Sequence, residues 1–314
     1  MLDNFHKQSL FELRKKSVEE IEKYYRELRK YEYDNNIPLK NITIRKKIHN
    51  LMVLILKIDR LLKHEKITII KDEHTPSNKQ VIFAATHIGG NDIVRIFEAI
   101  NNHAYLMLGD PGIIYVTALG QLLNLNGYLP LNTRNKTDRK IAYDRSIELL
   151  NKGGNLLIFP EGAYNVFENL PVMKIFKGTV RMAIETDSEI IPLAIEQYDN
   201  NFLISIGKNL KFDKNIPVDE ANNILRDTLA SLKWDIWSTQ EVVKRNSYDE
   251  EFIKNYRQSV VDRDDYGDYV YTLNDIYETM YHDKNISTPE EVYEKVKKLE
   301  INKNNAFLAK FINK

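Results

Sequence analysis

The stretch VIFAATHIGGND, residues 81–92, leaves an apolar run at His87, passes two glycines and sets Asp92 five positions after the histidine. Imidazole and carboxylate are the pair that general-base chemistry needs. An aspartate accepting from one ring nitrogen fixes the tautomer, leaves the other nitrogen as the base, and stabilises the imidazolium formed on proton transfer. The natural target of such a base is a hydroxyl. Along a continuous helix the two side chains would diverge, but Gly89 and Gly90 lack a Cβ and allow a tight turn across which they meet. The same residues also fit a histidine that satisfies a strand end, Asn91 as a helix cap, and an aspartate whose charge favours a helix N-terminus. A second element has to decide between these readings.

That element is LLIFPEGAYNVFENLP, residues 156–171, where another apolar run ends at Pro160-Glu161-Gly162. If both runs are neighbouring parallel strands, their carboxyl ends share one edge of the sheet, the edge at which open α/β sheets bind ligands. Glu161 would then bind a substrate hydroxyl or a backbone amide; a plain Pro-Glu-Gly surface turn is the alternative.

The elements that must position these residues are readable from periodicity. Residues 9–33 and 41–64 have helical spacing, and in the second Leu51, Leu54, Ile55, Ile58, Leu61 and Leu62 share a face. Short apolar runs follow at 66–70, 80–87, 104–108, 155–160, 189–195 and 201–207, separated by helix-length segments at 91–100, 112–124, 137–151 and 178–187. This alternation predicts an α/β fold with a mostly parallel central sheet flanked by helices. After about residue 213 helical patterns return, the last opening on a capping box at Thr288-Pro289-Glu290-Glu291. The chain divides into an amphipathic helical segment (1–65), an α/β catalytic domain (66–212) and a helical C-terminal extension (213–314).

Composition narrows the chemistry. The 314 residues carry 45 Lys+Arg against 45 Asp+Glu, so the basic excess of a nucleic-acid binder is missing. The balance is uneven, with residues 1–65 basic by five charges and 213–314 acidic by five. There is no cysteine, which removes disulfides, thiolate metal sites and a thioester-forming nucleophile. No His-Glu-x-x-His, Gly-x-Gly-x-x-Gly or Walker loop occurs, so no metal and no nucleotide cofactor is expected. The start has no signal-peptide pattern and the longest apolar run, LMVLIL at 51–56, is far too short to span a bilayer, so a cytoplasmic location is expected.

Together these residues resemble the glycerolipid, or PlsC-like, acyltransferases, which include the lysophosphatidic acid acyltransferases. The family's His-x4-Asp block is matched by His87 to Asp92. Its Phe-Pro-Glu-Gly-Thr-Arg-Ser block is matched by FPEGAYN, Phe159 to Asn165, and its Val-Pro-Val block by IIPLAI, Ile190 to Ile195. Order and spacing agree over roughly residues 66–210. The resemblance implies that His87 deprotonates an acceptor hydroxyl, which attacks the thioester of acyl-CoA or acyl-carrier protein directly, with Asp92 orienting the ring. It implies substrate-binding roles for Glu161, Gly162, Tyr164 and Asn165, and for Arg134 and Lys177 as anion ligands. Two departures bear on the acceptor. Ala163-Tyr164-Asn165 stands where the family has Thr-Arg-Ser, and Thr133 stands where an arginine is usual, with Arg134 one position later.

The acceptor expected is a lysophospholipid-type hydroxyl, 1-acylglycerol-3-phosphate-like; the departures leave open a lyso-lipid without a terminal phosphate or a glycan hydroxyl. A non-catalytic lipid-binding protein is the reading from another class. The stripe Ile113, Val116, Leu119, Leu122, Leu123 fits either an acyl tunnel or ordinary core. Residues 41–64 add Arg45, Lys46, Lys47, Lys57, Arg60 and Lys63 to an apolar face, which fits either a helix lying in an anionic membrane surface or one packed on the catalytic domain.

Overall fold

In the computed structural model the described residues are 5, 7–39, 42–109, 112–241, 250–263, 271–282 and 300; the Thr288 capping box lies outside them. Met1–Tyr281 form one compact unit and His282–Lys314 a second. The elements of the first are helices α1 (Leu10–Leu13), α2 (Val18–Asp34) and α3 (Ile42–Leu62), then β1 (Lys66–Asp72), β2 (Val81–Ala85), α4 (Asp92–Ile100) and β3 (Tyr105–Gly109). A 3-10 turn (Gly112–Tyr115) leads into α5 (Ala118–Asn126), β4 (Tyr128–Leu131), α6 (Lys136–Asn151), β5 (Leu156–Ile158), α7 (Gly178–Thr186), β6 (Glu189–Tyr198) and β7 (Asn201–Ile206). Helices α8 (Val218–Trp237), α9 (Glu250–Val261) and α10 (Leu273–Thr279) follow.

The seven strands form one sheet in the order β1-β7-β6-β2-β5-β3-β4. Every neighbouring pair is parallel except β6 with β7, which are joined by a hairpin and run antiparallel. The expected mostly parallel, helix-flanked sheet is therefore present. β4 was not among the expected strands, because Tyr128-Leu-Pro-Leu is only four residues long and carries a proline, which sheets admit at an edge.

β2 lies inside the sheet and is buried along its whole length. Its residues alternate between two apolar layers. Val81, Phe83 and Ala85 pack with Met52 and Leu56 of α3 and with Ile96 and Phe97 of α4. Ile82 and Ala84 pack with Leu149 of α6, Val180 of α7 and Leu225 of α8. Burial on both faces explains why the strand reads as a continuous apolar run instead of an alternating one. Register fixes the functional edge: Ala84 is level with Ile158, so β2 and β5 end together and release His87 and Pro160 on the same side. β3 and β4 end on that edge as well, releasing Gly109 and Arg134.

α3 packs inward through His49, Met52, Val53 and Leu56. The six residues predicted to share a face do so, and that face is exposed: Leu51, Leu54, Ile55, Ile58, Leu61 and Leu62 are each at least 43% accessible. Among the described residues no helix is long and apolar enough to cross a membrane.

Candidate active site

After β2 the chain turns through Gly89 (φ 81°) and Gly90 (φ 62°), left-handed conformations that cost other residues about 1 kcal/mol or more. The turn brings Asp92, first residue of α4, back onto His87. The Nδ1 atom lies 2.8 Å from Asp92 Oδ2, and the same oxygen accepts the N–H groups of Ile88 (2.7 Å) and Gly89 (3.0 Å). Three donors on one oxygen fix the carboxylate, and the carboxylate in turn requires the proton on Nδ1, leaving Nε2 as the basic nitrogen. Asn91, expected as the cap, makes no capping bond; its amide donates to Glu65 Oε1 at 2.7 Å, and Asp92 takes over the free N–H groups of the turn.

The imidazole is held on two sides by aromatic rings. Phe159 stacks on it at 4.0 Å between centroids, and Tyr164 meets it edge-on at 4.4 Å. His87 is 4% exposed, and it lines a cavity of about 710 Å³ at the carboxyl edge of the sheet. That volume falls in the range of small-molecule sites. Met107, Ile158 and Met182 supply apolar wall, and Arg134, Arg139, Lys177 and Arg181 supply positive charge around it.

The other predicted residues separate into two groups. Gly162, Tyr164, Arg134 and Lys177 line the cavity with His87. Gly162 has φ 75°, and a Cβ there would come within 2.5 Å of Phe176, so a larger residue would disturb the wall. Glu161 and Asn165 are not in the cavity. Glu161 is fully buried, with Oε1 accepting the His87 N–H at 3.2 Å and Oε2 the Met173 N–H at 2.8 Å. It fastens the end of β2 to the 171–173 loop, so of the two roles anticipated it fills the backbone-amide one. Burial pushes its carboxyl up to about 7, against the pull of the two N–H donors and of the Lys233 and His87 charges. Asn165 closes its own loop, donating to Leu170 O (2.7 Å) and accepting from Phe167 N (3.0 Å), while its N–H holds His87 O at 2.9 Å.

Arg134 Nη2 pairs with Glu278 of α10, and Lys177 Nζ with Asp219 of α8. Arg181, one helical turn after Lys177 and expected either beside a phosphate or as a solvated helix-end charge, lines the cavity too. The aromatic clamp and Arg139 were not anticipated; Arg139 follows the Asn135 cap of α6 by one turn, which is the sequence signal that could have found it. Of the proposed acyl stripe, Leu123 is buried in the core with Val116 and Leu122 packed against it, and none of these three lines the cavity. The side chains of Ile113 and Leu119 are outside the described residues.

The fold and site are thus a mostly parallel α/β sheet with a His–Asp pair at its carboxyl edge, and known proteins share parts of this chain. Residues 66–196 match the family model described as Acyltransferase. A 1-acyl-sn-glycerol-3-phosphate acyltransferase of Borreliella burgdorferi is 28% identical over 163 residues, covering 52% of this chain and 62% of that protein. A chloroplastic 1-acyl-sn-glycerol-3-phosphate acyltransferase of Arabidopsis thaliana is 23% identical over 152 residues, covering 48% and 42%. The crystal structure of PlsC, the 1-acyl-sn-glycerophosphate acyltransferase of Thermotoga maritima, superposes with a TM-score of 0.49 at 16% identity, over 64% of this chain and 83% of that one. The chain thus spans less than two thirds of the length of the curated relatives it matches. Over residues 66–196 the chain is similar to the PlsC-like acyltransferases.

Proposed function

We propose that this protein is an O-acyltransferase that moves a fatty acyl group from acyl-CoA or acyl-carrier protein to the free hydroxyl of a lysophospholipid of the 1-acylglycerol-3-phosphate type. The observation that carries this reading is the His87–Asp92 pair, 2.8 Å apart, at the wall of a cavity large enough for an acyl chain and its head. Nε2 takes the hydroxyl proton as the acceptor oxygen attacks the thioester carbonyl. The carbon–sulfur bond then breaks, and the departing thiolate recovers the proton from the imidazolium. Asp92 holds the ring through both halves of the exchange. No covalent enzyme intermediate and no cofactor enters this sequence; the acyl thioester is a co-substrate. The Ile88–Gly89 turn, Phe159 and Tyr164 keep the ring from swinging away from the cavity.

Arg134, Arg139, Lys177 and Arg181 suit a phosphate on either substrate. The pairing of Arg134 with Glu278 and of Lys177 with Asp219 favours a second version of the acceptor, a lyso-lipid without a terminal phosphate. The exposed apolar face of α3, flanked by the exposed Lys46, Lys47 and Lys57, supports work at the cytoplasmic face of an anionic bilayer, where the acceptor would be found.

The direct test is acyl transfer from a radiolabelled thioester to a panel of lyso-lipids by the wild type and by His87→Ala. Loss of at least about a hundredfold in kcat in the variant is expected; equal rates in the two proteins refute the assigned base. Preference within the panel separates the two acceptor versions.

A further inference from the structure

Part of the cavity wall is built by residues beyond the 66–196 match. Tyr271, Asp275, Thr279 and Tyr281, from α10 and its flanks, line the same space as His87. The end of α9 and the start of the α10 segment are fastened to the catalytic turn and to Tyr164 beside it. Arg263 Nη1 donates to Ile88 O at 3.3 Å, Val260 O stands where any side chain on Gly89 would meet it at 3.2 Å, and Tyr271 packs edge-on against Tyr164 at 5.2 Å. The C-terminal extension is therefore part of the site.

Its charges face Arg134. Glu278 Oε2 pairs with Arg134 Nη2, and Asp275 Oδ1 lies 3.9 Å from the same nitrogen. The two acids differ in what else they do. Asp275 closes the capping box of α10 by accepting the Thr272 N–H at 2.9 Å, whereas Glu278 has one further bond, from the Asn274 amide at 2.8 Å on its other oxygen. Glu278 is thus available to give way. The Arg134–Glu278 pair is open to water, its side chains 58% and 46% exposed, and such pairs are weak. A phosphomonoester dianion, which a guanidinium grips with two parallel bonds, is the stronger partner.

We propose that Glu278 is a specificity-determining residue. It is a counter-anion on Arg134 that a phosphomonoester must displace on entering the cavity, and it tilts selection toward substrates that lack one. The proposal rests on the acyltransferase reading, and the phosphomonoester could belong to the acceptor or to the 3′-phosphate of CoA. Steady-state kinetics of the wild type and Glu278→Gln separate the two. The acceptor arm compares 1-acylglycerol-3-phosphate with lysophosphatidylcholine, and the donor arm compares acyl-CoA with acyl-dephospho-CoA. Glu278→Gln is expected to lower KM for a phosphomonoester substrate about two- to fivefold with kcat unchanged, and to leave KM for its counterpart unaltered. In an Arg134→Gln background the same substitution is expected to do nothing, which a merely structural role would not produce.

Calorimetric titration of short-chain 1-acylglycerol-3-phosphate and of CoA into both proteins reads the same effect without turnover. Tighter binding by Glu278→Gln in a protein that transfers no acyl group defeats the acyltransferase reading and leaves the counter-anion role standing. Unchanged KM and Kd in both arms, equal shifts for phosphomonoester and counterpart, or binding by neither protein overturns the proposal.

Discussion

At the scale of single residues the site depends on one carboxylate oxygen. Asp92 Oδ2 receives the His87 ring N–H and two backbone N–H groups, so replacing it disturbs orientation and turn together. Asp92→Asn can present an amide N–H where Nδ1–H now donates, favouring the opposite imidazole tautomer; kcat is expected to fall roughly 100- to 10,000-fold while KM changes little. A pre-steady-state measurement of the acyl-transfer step checks this, and a variant within threefold of wild type would contradict the orienting role. His87, Asp92 and the Phe-Pro-Glu-Gly turn were legible in the sequence because the chemistry is local: a polar residue ending an apolar run, followed by glycine. Glu161 and Asn165 were harder to assign, since a polar side chain at a strand end reads the same whether it meets substrate or backbone. Only the burial of Glu161 and the two N–H groups on it separate the cases.

At the scale of elements, two buried polar clusters join α3 to the rest of the fold. Arg95 on α4, fully buried, reaches Glu65 (2.6 Å), Asp59 (2.9 Å) and Glu98 (2.5 Å) around the end of α3. Removing the guanidinium strands the buried carboxylates, so Arg95→Met is expected to cost about 3–5 kcal/mol in urea unfolding. A loss below about 1 kcal/mol would mean that the acids find other partners. At the other cluster, His103 Nε2 donates to Asn126 O at 2.8 Å, and His49 Nδ1 lies 2.9 Å from Asn126 Oδ1. Burial lowers the His103 imidazole to about 4, with the nearby His49, Lys46 and Arg45 charges adding to the effect against the Asn126 carbonyl. Because its folded value lies below the unfolded one near 6.5, the unfolded chain takes the proton first. Stability is then full above about pH 6.5 and falls as pH drops toward 4. Between pH 7 and 5 this group is expected to cost roughly 2 kcal/mol. His103→Gln, which keeps a donor for Asn126 and does not titrate, should flatten that part of the urea-midpoint profile; an unchanged slope would assign it to other groups. Apart from Arg95–Glu98, three positions apart on α4, none of these ties was visible in the sequence, since each joins residues more than twenty positions apart.

At the scale of the whole molecule, the sheet and its flanking helices followed from the alternation of apolar runs, whereas the contribution of α10 to the cavity did not. Charge and helical spacing in 250–282 describe a solvated helix equally well, and nothing in them names the surface it covers. α3 shows the opposite limit: its apolar stripe was plain, but only the fold reveals that the stripe faces outward while Met52, Val53 and Leu56 face in. If that stripe meets a bilayer, Leu54→Glu with Ile58→Glu should abolish flotation with anionic vesicles and leave the unfolding midpoint within about 0.5 kcal/mol, as expected for exposed positions. Vesicle binding equal to wild type would remove α3 from the membrane contact. The sheet also sets a schedule for synthesis. Among the described residues β1 has one partner strand, β7, and Thr68 donates to Asn201, a residue 133 positions downstream, at 2.9 Å. At about 5–20 residues per second a ribosome needs roughly 7–27 s to deliver that partner. Throughout that interval β1 emerges as an unpaired edge, and the polar side chains of Lys66, Thr68 and Lys71 make it a poor template for a neighbouring nascent chain.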